Sequence, residues 1–505
     1  MSERKKIAIV GAGPGGLTAG MLLQSRNFDV HIFEKEENVG GRNSFFRENG
    51  FTFDIGPTFL MMKFIVDEVF EESHKKSTDY LEFFKLNPMY RLFFKDVTFD
   101  VVDDEKTMAD IIEEFFKGES KGLHKFMEKE KIRYERMYPC LQKSYGSFFT
   151  YFHPDFLKAI PHLSIGRSMY EELGKYFKNE NLKMAFTFQS KYLGMSPWSC
   201  PAAFLMIPFI EHNQGIYHVK GGLSQISTAM AKAFEELGGK IYRNTAVKNI
   251  LVQSNRAVGV KIDNNDSFYA DEIIVNADFA YSATNLFPKE VIKKYSEEKL
   301  SKKLFSCSTF MIYLGLDTVY KLPHHNIIFS ENYKKYINDI SADKEIKEDI
   351  SIYLRNASVT DETIAPQDTS NIYILVPVAN NRSKINWEEK KQEFRNLVIK
   401  TIIERLQLYD FEKHIVFEKI ITPIDWEKSF NVYLGATFNL GHNLMQMLYF
   451  RPHNKFEEVE NCYLVGGGTH PGSGLPTIYE SGRISANLIS NKYKIPFVSK
   501  NTQII

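Results

Sequence analysis

The feature that most constrains this chain is a glycine-rich turn between an apolar strand and an apolar helix at its start. An apolar run over 6–10 leads into Gly11, Gly13 and Gly16, which form a GxGxxG pattern where the helix opens. Such glycines permit a tight turn, let the backbone approach a pyrophosphate and let helix and strand pack closely. The free N–H groups of the first helical turn also favour phosphate. The residues predicted to form this phosphate-binding turn are Gly11, Ala12, Gly13, Pro14, Gly15 and Gly16.

A second apolar strand follows over 30–33 and ends at Glu34. A carboxylate about twenty residues beyond the glycines is placed to accept hydrogen bonds from ribose hydroxyl groups, and it disfavours a 2′-phosphate. Strand, turn, helix, strand and acid in this order predict a dinucleotide-binding βαβ unit, with Glu34 and Lys35 beside the nucleotide. The alternative is an ordinary βαβ unit whose turn is rich in glycine.

Two segments downstream bear on which dinucleotide binds, because NAD and FAD share this unit. The first is the turn Gly40-Gly41-Arg42, in which a guanidinium can clamp phosphate in bidentate fashion. The second is a strand that ends in Asp-Ile-Gly-Pro-Thr over 54–58, a rigid turn able to press against a flavin ring. Each segment alone also fits an ordinary surface loop. The residues that we predict to contact the cofactor here are Gly41, Arg42, Gly56, Pro57 and Thr58.

Together these segments resemble the flavin amine-oxidase-like superfamily and, within it, the bacterial-type carotenoid (phytoene) desaturase family. The resemblance extends through most of the chain. The segment 215–222 is similar to the family's Gly-x-x-x-Pro-x-Gly-Gly, and 275–278 and 351–366 are similar to two further family segments. The resemblance implies that FAD is the cofactor and that its adenine side contacts the backbone of Val247.

The C-terminal segment 466–476 carries the most specific part of the resemblance. It reads Gly-Gly-Gly-Thr-His-Pro-Gly-Ser-Gly-Leu-Pro, which is similar to the family's G-x-G-T-H-P-G-x-G-[IL]-P signature. The helix that begins near 476 can point the positive end of its dipole at the flavin pyrimidine and so stabilise reduced flavin. The alternative is a glycine-rich loop before a terminal helix. The predicted cofactor contacts in this segment are Gly467, Gly468, Gly474, Leu475 and Pro476.

The chain departs from the family pattern in two places. Val219 stands where the family has proline, and His218 precedes it where an aromatic residue is common. The helix after Pro476 is also more polar over 477–483 than the small-residue helix expected there. Both departures leave the particular polyene and the reaction step open.

The order of elements predicts an α/β protein with a mixed α+β part. Strand signals and glycine turns at both ends and in the middle predict a discontinuous Rossmann-like FAD-binding domain made of 1–85, 215–300 and 455–505. The segments 86–214 and 301–454 are expected to form an inserted substrate-binding domain of mixed sheet and helices. At 505 residues the chain is long enough for two domains that share one ligand.

The resemblance implies an FAD-dependent carotenoid desaturase, an oxidoreductase that acts on CH–CH groups. An acyclic carotene such as phytoene, or a related polyene, gives a hydride to flavin N5 while a proton leaves the neighbouring carbon. A related carotenoid isomerase, oxidase or saturase is an alternative, as is a polyamine or monoamine oxidase. A non-enzymatic alternative is a prenyl-binding escort-type protein, against which the intact glycine turn, Glu34 and the C-terminal segment argue.

The sequence assigns no catalytic side chain. Each titratable candidate is interpreted more simply as a structural or surface side chain, and no Ser-His-Asp constellation is present. These candidates are Glu211, His212, His218, His442 and His470.

Composition excludes several classes of function. Lys and Arg together number 63, as do Asp and Glu, and a net charge of zero argues against nucleic-acid binding. The 41 Phe and 26 Tyr predict either a large apolar cavity or an aromatic core. The cysteines lack metal-ligand or redox-motif spacing, so we expect no metal site and reduced thiols. They are Cys140, Cys200, Cys307 and Cys462.

The sequence predicts no helix that crosses a membrane, since no apolar run of about eighteen residues is present. No secretory signal is recognised before the first strand. The segment 145–165 is rich in Phe and Tyr, and Pro154 and Pro161 limit it to a short helix. It predicts either a membrane contact or a tunnel wall, so a cytoplasmic, peripherally membrane-associated protein is expected.

Overall fold

The structure is a computed structural model that describes residues 4–498, apart from the side chain of Tyr192. Its strands are β1 (Lys6–Val10), β2 (Asp29–Phe33), β3 (Phe45–Glu48), β4 (Phe51–Asp54), β5 (Phe83–Lys85), β6 (Tyr90–Phe93), β7 (Thr98–Val101), β8 (Tyr217–Val219), β9 (Lys240–Tyr242), β10 (Val247–Gln253), β11 (Arg256–Ile262), β12 (Ser267–Tyr269), β13 (Glu272–Val275), β14 (Ser308–Leu316), β15 (His325–Ile328), β16 (Ile352–Asn356), β17 (Ser370–Val378), β18 (Ile415–Ile421) and β19 (Cys462–Leu464). Its α-helices are α1 (Pro14–Ser25), α2 (Lys63–Glu72), α3 (Glu105–Phe115), α4 (Ser120–Leu141), α5 (Pro154–Ala159), α6 (Met169–Leu173), α7 (Glu180–Ala185), α8 (Met206–Gln214), α9 (Ser224–Glu236), α10 (Phe279–Asn285), α11 (Glu297–Ser301), α12 (Tyr333–Ser341), α13 (Trp387–Leu406), α14 (Pro423–Lys428) and α15 (Leu475–Lys492).

A parallel five-stranded sheet in the order β19-β13-β1-β2-β9 carries the glycine turn. In chain order this is 3-2-1-4-5 from the opposite edge, the strand order of a Rossmann-like sheet. Within it, Ile7 of β1 pairs with Glu272 of β13, and Val10 pairs with Phe33 of β2. Helix α1 is buried along most of its length against β2, α9 and α15. Strands of a parallel sheet that is covered by helices are buried on both faces. This explains why β1 and β13 are continuous apolar runs rather than alternating ones.

A second, mixed sheet has the order β18-β14-β17-β16-β15-β6-β7. Its pairs are antiparallel except for β15 with β6. One face packs on α13, where the rings of Phe310 and Phe394 lie 4.9 Å apart. On the neighbouring long strands β14 and β17, Thr309 stands opposite Pro377 and Met311 opposite Leu375. These four residues line a cavity on the other face of the sheet.

The α/β class predicted from the sequence is confirmed. The helix expected to begin near 476 is α15, which begins at Leu475. The region 86–214 is mostly helical, but β6 and β7 within it join the mixed sheet. The sequence analysis did not separate these two short strands from the helices around them.

The aromatic segment 145–165 forms a short 3-10 turn and then α5, which begins at Pro154. Within residues 4–498 no helix is long and apolar enough to cross a membrane. In the same residues no group of three or more His, Cys, Asp or Glu side chains is placed to hold a metal ion.

Candidate active site

The glycine turn has no side chain of its own at Gly11 or Gly16 to cover its backbone, because a residue larger than glycine does not fit there. Gly11 has a φ of +94°, and a Cβ on Gly16 would lie 2.4 Å from the Gly11 carbonyl oxygen. The Asn276 side chain at the end of β13 donates to that same carbonyl from Nδ2 at 3.0 Å. Helix α1 begins at Pro14 with no side-chain cap. Its first N–H groups therefore stay available to an anion.

Glu34 is fixed at the end of β2 by two backbone donors. Its Oε2 accepts from the N–H of Ala12 at 2.7 Å, and its Oε1 accepts from the N–H of Glu36 at 3.0 Å. The side chain is buried, and burial raises the pKa of Glu34 although both N–H groups oppose that rise. Beside it, Lys35 donates from Nζ to the carbonyl of Ser429 at 2.9 Å. The acid is thus rigid at the mouth of the glycine turn.

Arg42 forms a buried polar cluster with two residues that the sequence analysis did not select. Its Nη1 donates to the Thr437 carbonyl at 2.8 Å. With the Asn439 amide turned so that its nitrogen donates to Asp278 Oδ2 at 2.6 Å, its oxygen accepts from Arg42 Nη2 at 3.2 Å. Burial lowers the pKa of Arg42, and Asp278 counteracts this; burial also raises the pKa of Asp278. The cluster presents a guanidinium to the cavity.

Three tyrosines of the mixed sheet hold the turn that follows β4. Tyr313 donates from its hydroxyl to the carbonyl of Ile55 at 2.6 Å, and Tyr373 donates to the carbonyl of Gly56 at 2.7 Å. The Tyr353 hydroxyl lies 2.7 Å from the Thr58 hydroxyl. A Cβ at position 56 would meet the Arg42 carbonyl oxygen at 2.5 Å, so glycine is required there. We call these three side chains the tyrosine clamp.

The C-terminal glycine segment closes the opposite wall. Helix α15 begins at Leu475, its cap residue Gly474 has a φ of +115°, and no side chain caps it. The positive end of this helix therefore lies at the cavity wall. The loop before it is held by the buried Arg451, which donates from Nη2 to the Gly467 carbonyl at 2.7 Å.

One cavity of about 960 Å³ joins these parts. Its polar end lies between the glycine turn and the C-terminal segment. Its other end is apolar and is walled by Phe59, Met61, Phe188, Met311, Ile327 and Leu375. A dinucleotide crevice thus opens directly into an apolar chamber over the mixed sheet.

Most of the residues predicted from the sequence line this cavity. They are Gly11, Gly13, Pro14, Glu34, Lys35, Gly41, Arg42, Gly56, Pro57, Thr58, Val247, Gly467, Gly468, Gly474, Leu475 and Pro476. Ala12, Gly15 and Gly16 are not in the wall. Ala12 orients Glu34, and a Cβ on Gly15 would lie 3.3 Å from the backbone nitrogen of Gly466.

The titratable candidates named from the sequence do not line the cavity among the described residues. His212 lies 3.2 Å from the Val102 carbonyl oxygen, and His218 lies 2.8 Å from Asp361 Oδ2. His442 accepts from the N–H of Ser473 at 3.1 Å, and the His470 ring packs 4.8 Å from that of Tyr145. The carboxylate of Glu211 accepts from Gln189 at 2.7 Å. These contacts are those of structural side chains.

A Rossmann-like sheet whose crevice continues into an apolar chamber is the arrangement of a dinucleotide-binding protein with room for an apolar ligand beside the dinucleotide. The family model "Flavin containing amine oxidoreductase" matches residues 14–490. A 4,4'-diapophytoene desaturase (4,4'-diapolycopene-forming) of Methylomonas sp is 50% identical over 98% of this chain and 97% of its own. An all-trans-zeta-carotene desaturase of Myxococcus xanthus is 34% identical over 97% of this chain and 94% of its own.

The chain belongs to the flavin-containing amine oxidoreductase family and, within it, to the carotenoid desaturases. A solved oxidoreductase from Methanosarcina mazei shares the fold with a TM-score of 0.62 at 15% identity, over 95% of this chain and 99% of that one. The resemblance inferred from the sequence, the FAD cofactor and the assignment as an oxidoreductase are confirmed. The non-enzymatic escort-type alternative is therefore set aside.

Proposed function

We propose that this chain desaturates an acyclic C30 carotene by removing two hydrogens from neighbouring carbons. The single observation that carries the proposal is the continuity of the cavity from the glycine turn to the apolar face of the mixed sheet. A polyene lying over Met311 and Leu375 reaches the cofactor without crossing a polar surface. The compound in the name of the relative that is 50% identical, 4,4'-diapophytoene, supports the choice of substrate.

We propose that FAD binds along this cavity in the direction that the sequence predicts. We propose that the pyrophosphate lies on Gly11, Gly13 and Pro14 at the start of α1, with Arg42 as a further cation. The ribose lies against Glu34 and Lys35, and the adenine lies near Val247. The flavin lies between 56–58 and 474–476. When bound there, FAD supplies the hydride acceptor.

The protein's own residues orient the reactants and keep water out. The tyrosine clamp fixes the turn 54–58 against the mixed sheet. This fixes the position of one wall of the cavity. The positive end of α15 favours negative charge on a neighbouring group. The apolar wall of the chamber holds the chain of the polyene by burial of apolar surface.

We propose the two-domain division on the same grounds. The segments 1–85, 215–300 and 455–505 supply the parallel sheet and the glycine turns. The segments 86–214 and 301–454 supply most of the apolar chamber, which Phe59 and Met61 of the first segment complete. Each domain contributes one wall of the cavity. The substrate then lies at the boundary between them, where small-molecule sites often occur.

Product analysis tests the proposed function. Purified protein loaded with FAD is incubated with 4,4'-diapophytoene or phytoene in lipid vesicles, and the extract is followed by absorbance and chromatography. We expect a shift of the absorbance to longer wavelength, with faster conversion of the C30 compound. Absence of a longer chromophore from either compound contradicts the proposal; conversion of phytoene alone contradicts only the choice of C30.

We also propose that the protein docks on a lipid bilayer through one exposed aromatic patch. Phe148, Phe149 and Phe152 are 52%, 79% and 62% exposed, and Met445 is 68% exposed. The segments 148–152 and 445–449 form one surface, because the ring of Phe148 lies 5.8 Å from that of Tyr449. A monomeric soluble protein rarely leaves such a group in water, and a polyene substrate partitions into bilayers.

Flotation with vesicles tests this docking surface. We expect the double variant Phe149→Ser/Phe152→Ser to shift at least tenfold toward the unbound fraction, because about 2 kcal/mol of apolar burial is lost for each ring. Tyr409→Ser removes a ring that is 78% exposed elsewhere and serves as the matched control. Equal flotation of the double variant and the wild type contradicts the proposal.

A further inference from the structure

Lys191 places an amine in the apolar part of the cavity, and the proposed function does not use it. It belongs to a 3-10 segment, Phe188–Leu193, and lines the cavity beside Phe188. Its Nζ lies 4.8 Å from the ring centroid of Tyr333 and 5.5 Å from that of Phe329. Among the described side chains, no carboxylate lies within ion-pair distance of Lys191. Burial of an amine without an ion-pair partner lowers the stability of the fold, which indicates that Lys191 has a function in the cavity.

The surroundings of Lys191 favour its neutral form. Burial lowers the pKa of Lys191 to about 7, and the nearby Cys307 thiol opposes this only weakly. The described titratable groups that face it are the Cys307 thiol and the Tyr333 phenol, and burial raises the pKa of both. Neither group can serve as its counter-ion near neutral pH. Much of the lysine is therefore a free amine there.

Other groups in the same part of the cavity cannot accept a proton. Burial raises the pKa values of Tyr353 and Tyr373, so both phenols stay protonated. The carboxylate of Asp278 is occupied by α10, where it accepts from the Tyr281 N–H at 3.2 Å, and by the Arg42 cluster. Among the described residues that line the chamber, Lys191 is left as the side chain able to act as a base.

We propose that Lys191 Nζ takes the proton that the polyene loses on desaturation. This inference rests on the proposed function. One C–H bond would break with its electron pair as a hydride, for which bound FAD would be the acceptor. The C–H bond of the neighbouring carbon breaks toward Lys191, a new N–H bond forms, and the electron pair left behind becomes the second bond of the C=C.

The aromatic rings around Lys191 fit this cycle. Before the step, no side chain within the described part of the structure donates a hydrogen bond to the lone pair of the neutral amine. After the step, the ammonium lies over the faces of Phe329 and Tyr333, where cation–π attraction offsets part of the lost hydration. The proton then leaves before the next turnover.

Single-turnover kinetics test the assignment. Substrate is mixed anaerobically with FAD-loaded protein, and the loss of flavin absorbance is followed from pH 6 to pH 9. We expect the wild-type rate to rise through pH 7 and then level off. The variants Lys191→Met and Lys191→Gln should be slower by about 10²- to 10⁴-fold, as for loss of a general base, and independent of pH. Lys191→Arg, which keeps the charge but offers no free base, should be equally slow.

A second measurement reports on the amine without turnover. Because the pKa of Lys191 is about 7 in the folded protein and 10.5 unfolded, its presence costs stability as the pH falls from 10.5 to 7. Lys191→Met should therefore have a higher melting temperature than the wild type at pH 6, and the difference should shrink toward pH 9.5. The exposed Lys178→Met is the matched control and should show a constant, small difference.

The outcomes separate the inference from the proposed function. If the wild type converts its substrate and Lys191→Met stays within threefold with the same pH profile, the inference is overturned and the function stands. If the wild type converts neither a C30 nor a C40 acyclic polyene, the proposed function is contradicted, and the inference that rests on it is overturned as well. Loss of polyene binding by both neutral variants, measured by titration of the bound chromophore, assigns Lys191 to binding and overturns its role as a base.

Discussion

At the scale of single residues, the C-terminal glycine loop depends on the buried guanidinium of Arg451. It donates from Nε to the Thr469 carbonyl at 3.0 Å and from Nη2 to the Gly467 carbonyl at 2.7 Å. Its Nη2 also donates to the Leu440 carbonyl at 3.2 Å. Burial lowers the pKa of Arg451 to about 9, and the oxygen atoms that accept its hydrogen bonds are backbone carbonyls. The guanidinium therefore holds Leu440 and the segment 467–469 together in one wall of the cavity.

Replacing Arg451 by Lys should loosen that wall. Lysine keeps the charge but cannot span several carbonyls in a plane, so buried acceptors lose their donors. We expect a loss of about 3 kcal/mol in the free energy of unfolding, at 1–3 kcal/mol for each such group. FAD affinity should fall at least tenfold. Urea unfolding and fluorescence titration with FAD measure the two effects.

The control for this prediction is Arg256→Lys, which alters an exposed ion pair with Glu460. A pair of that kind contributes about 0–1 kcal/mol. The prediction is wrong if Arg451→Lys is no less stable than this control and binds FAD as the wild type does.

At the scale of elements, the tyrosine clamp joins the mixed sheet to the turn after β4. The clamp residues come from β14, β16 and β17, which are neighbours in the mixed sheet. A second link is the buried pair of Arg355 Nη1 with Asp54 Oδ2 at 2.7 Å. Asp54 also accepts from the Ser224 N–H at the start of α9 at 2.9 Å. The turn is therefore held from both sides.

The double variant Tyr313→Phe/Tyr373→Phe should weaken the attachment of this turn to the mixed sheet and keep both aromatic rings in the core. Each change removes one hydroxyl donor and leaves a buried carbonyl, which costs about 1–3 kcal/mol. We expect the free energy of unfolding to fall by about 2–6 kcal/mol and the flavin absorbance to lose its vibronic structure as the wall becomes less rigid. Tyr269→Phe, at a position 61% exposed, is the control. An unchanged spectrum together with unchanged stability would contradict a clamp.

At the scale of the whole molecule, local sequence patterns predicted those parts of the site that a local backbone creates. The glycine turn, Glu34 at the end of β2 and the start of α15 each follow from a short segment whose turn, strand end or helix start is encoded nearby. The Rossmann-like order of the parallel sheet follows from the repetition of such units. These features needed no knowledge of distant contacts.

The remaining parts of the site depend on contacts between segments far apart in the chain. Asp278, Asn439 and Arg42 come from three separate elements, and their sequence spacing carries no signal of the cluster. Lys191 lies in an irregular segment without periodicity, so only the fold places it in the chamber. The clamp tyrosines look like ordinary strand residues, since Tyr is common in strands. Tertiary packing, not local preference, selects them.

The buried histidines should make the stability of the whole molecule depend on pH. Burial lowers the pKa of His212 to about 4 and that of His470 to about 3. The unfolded chain takes up protons at these side chains below about pH 6.5, and the folded protein does not. Stability should therefore fall as the pH drops below 6.5, by about 1.4 kcal/mol per pH unit for each histidine. The two together predict about 2.7 kcal/mol per unit.

Urea unfolding at pH 7.0, 6.0 and 5.0 measures this slope. His212→Asn should make it shallower by about 1.4 kcal/mol per unit, because one proton-uptake site is gone. His414→Asn is the matched control: its exposed ring has a pKa raised by Asp317, so its contribution is complete below pH 6.5 and is lost only as the pH rises. Its slope in acid should equal that of the wild type. Equal slopes for His212→Asn and the wild type would mean that His212 is already protonated in the fold, so the acid sensitivity would have to come from other groups.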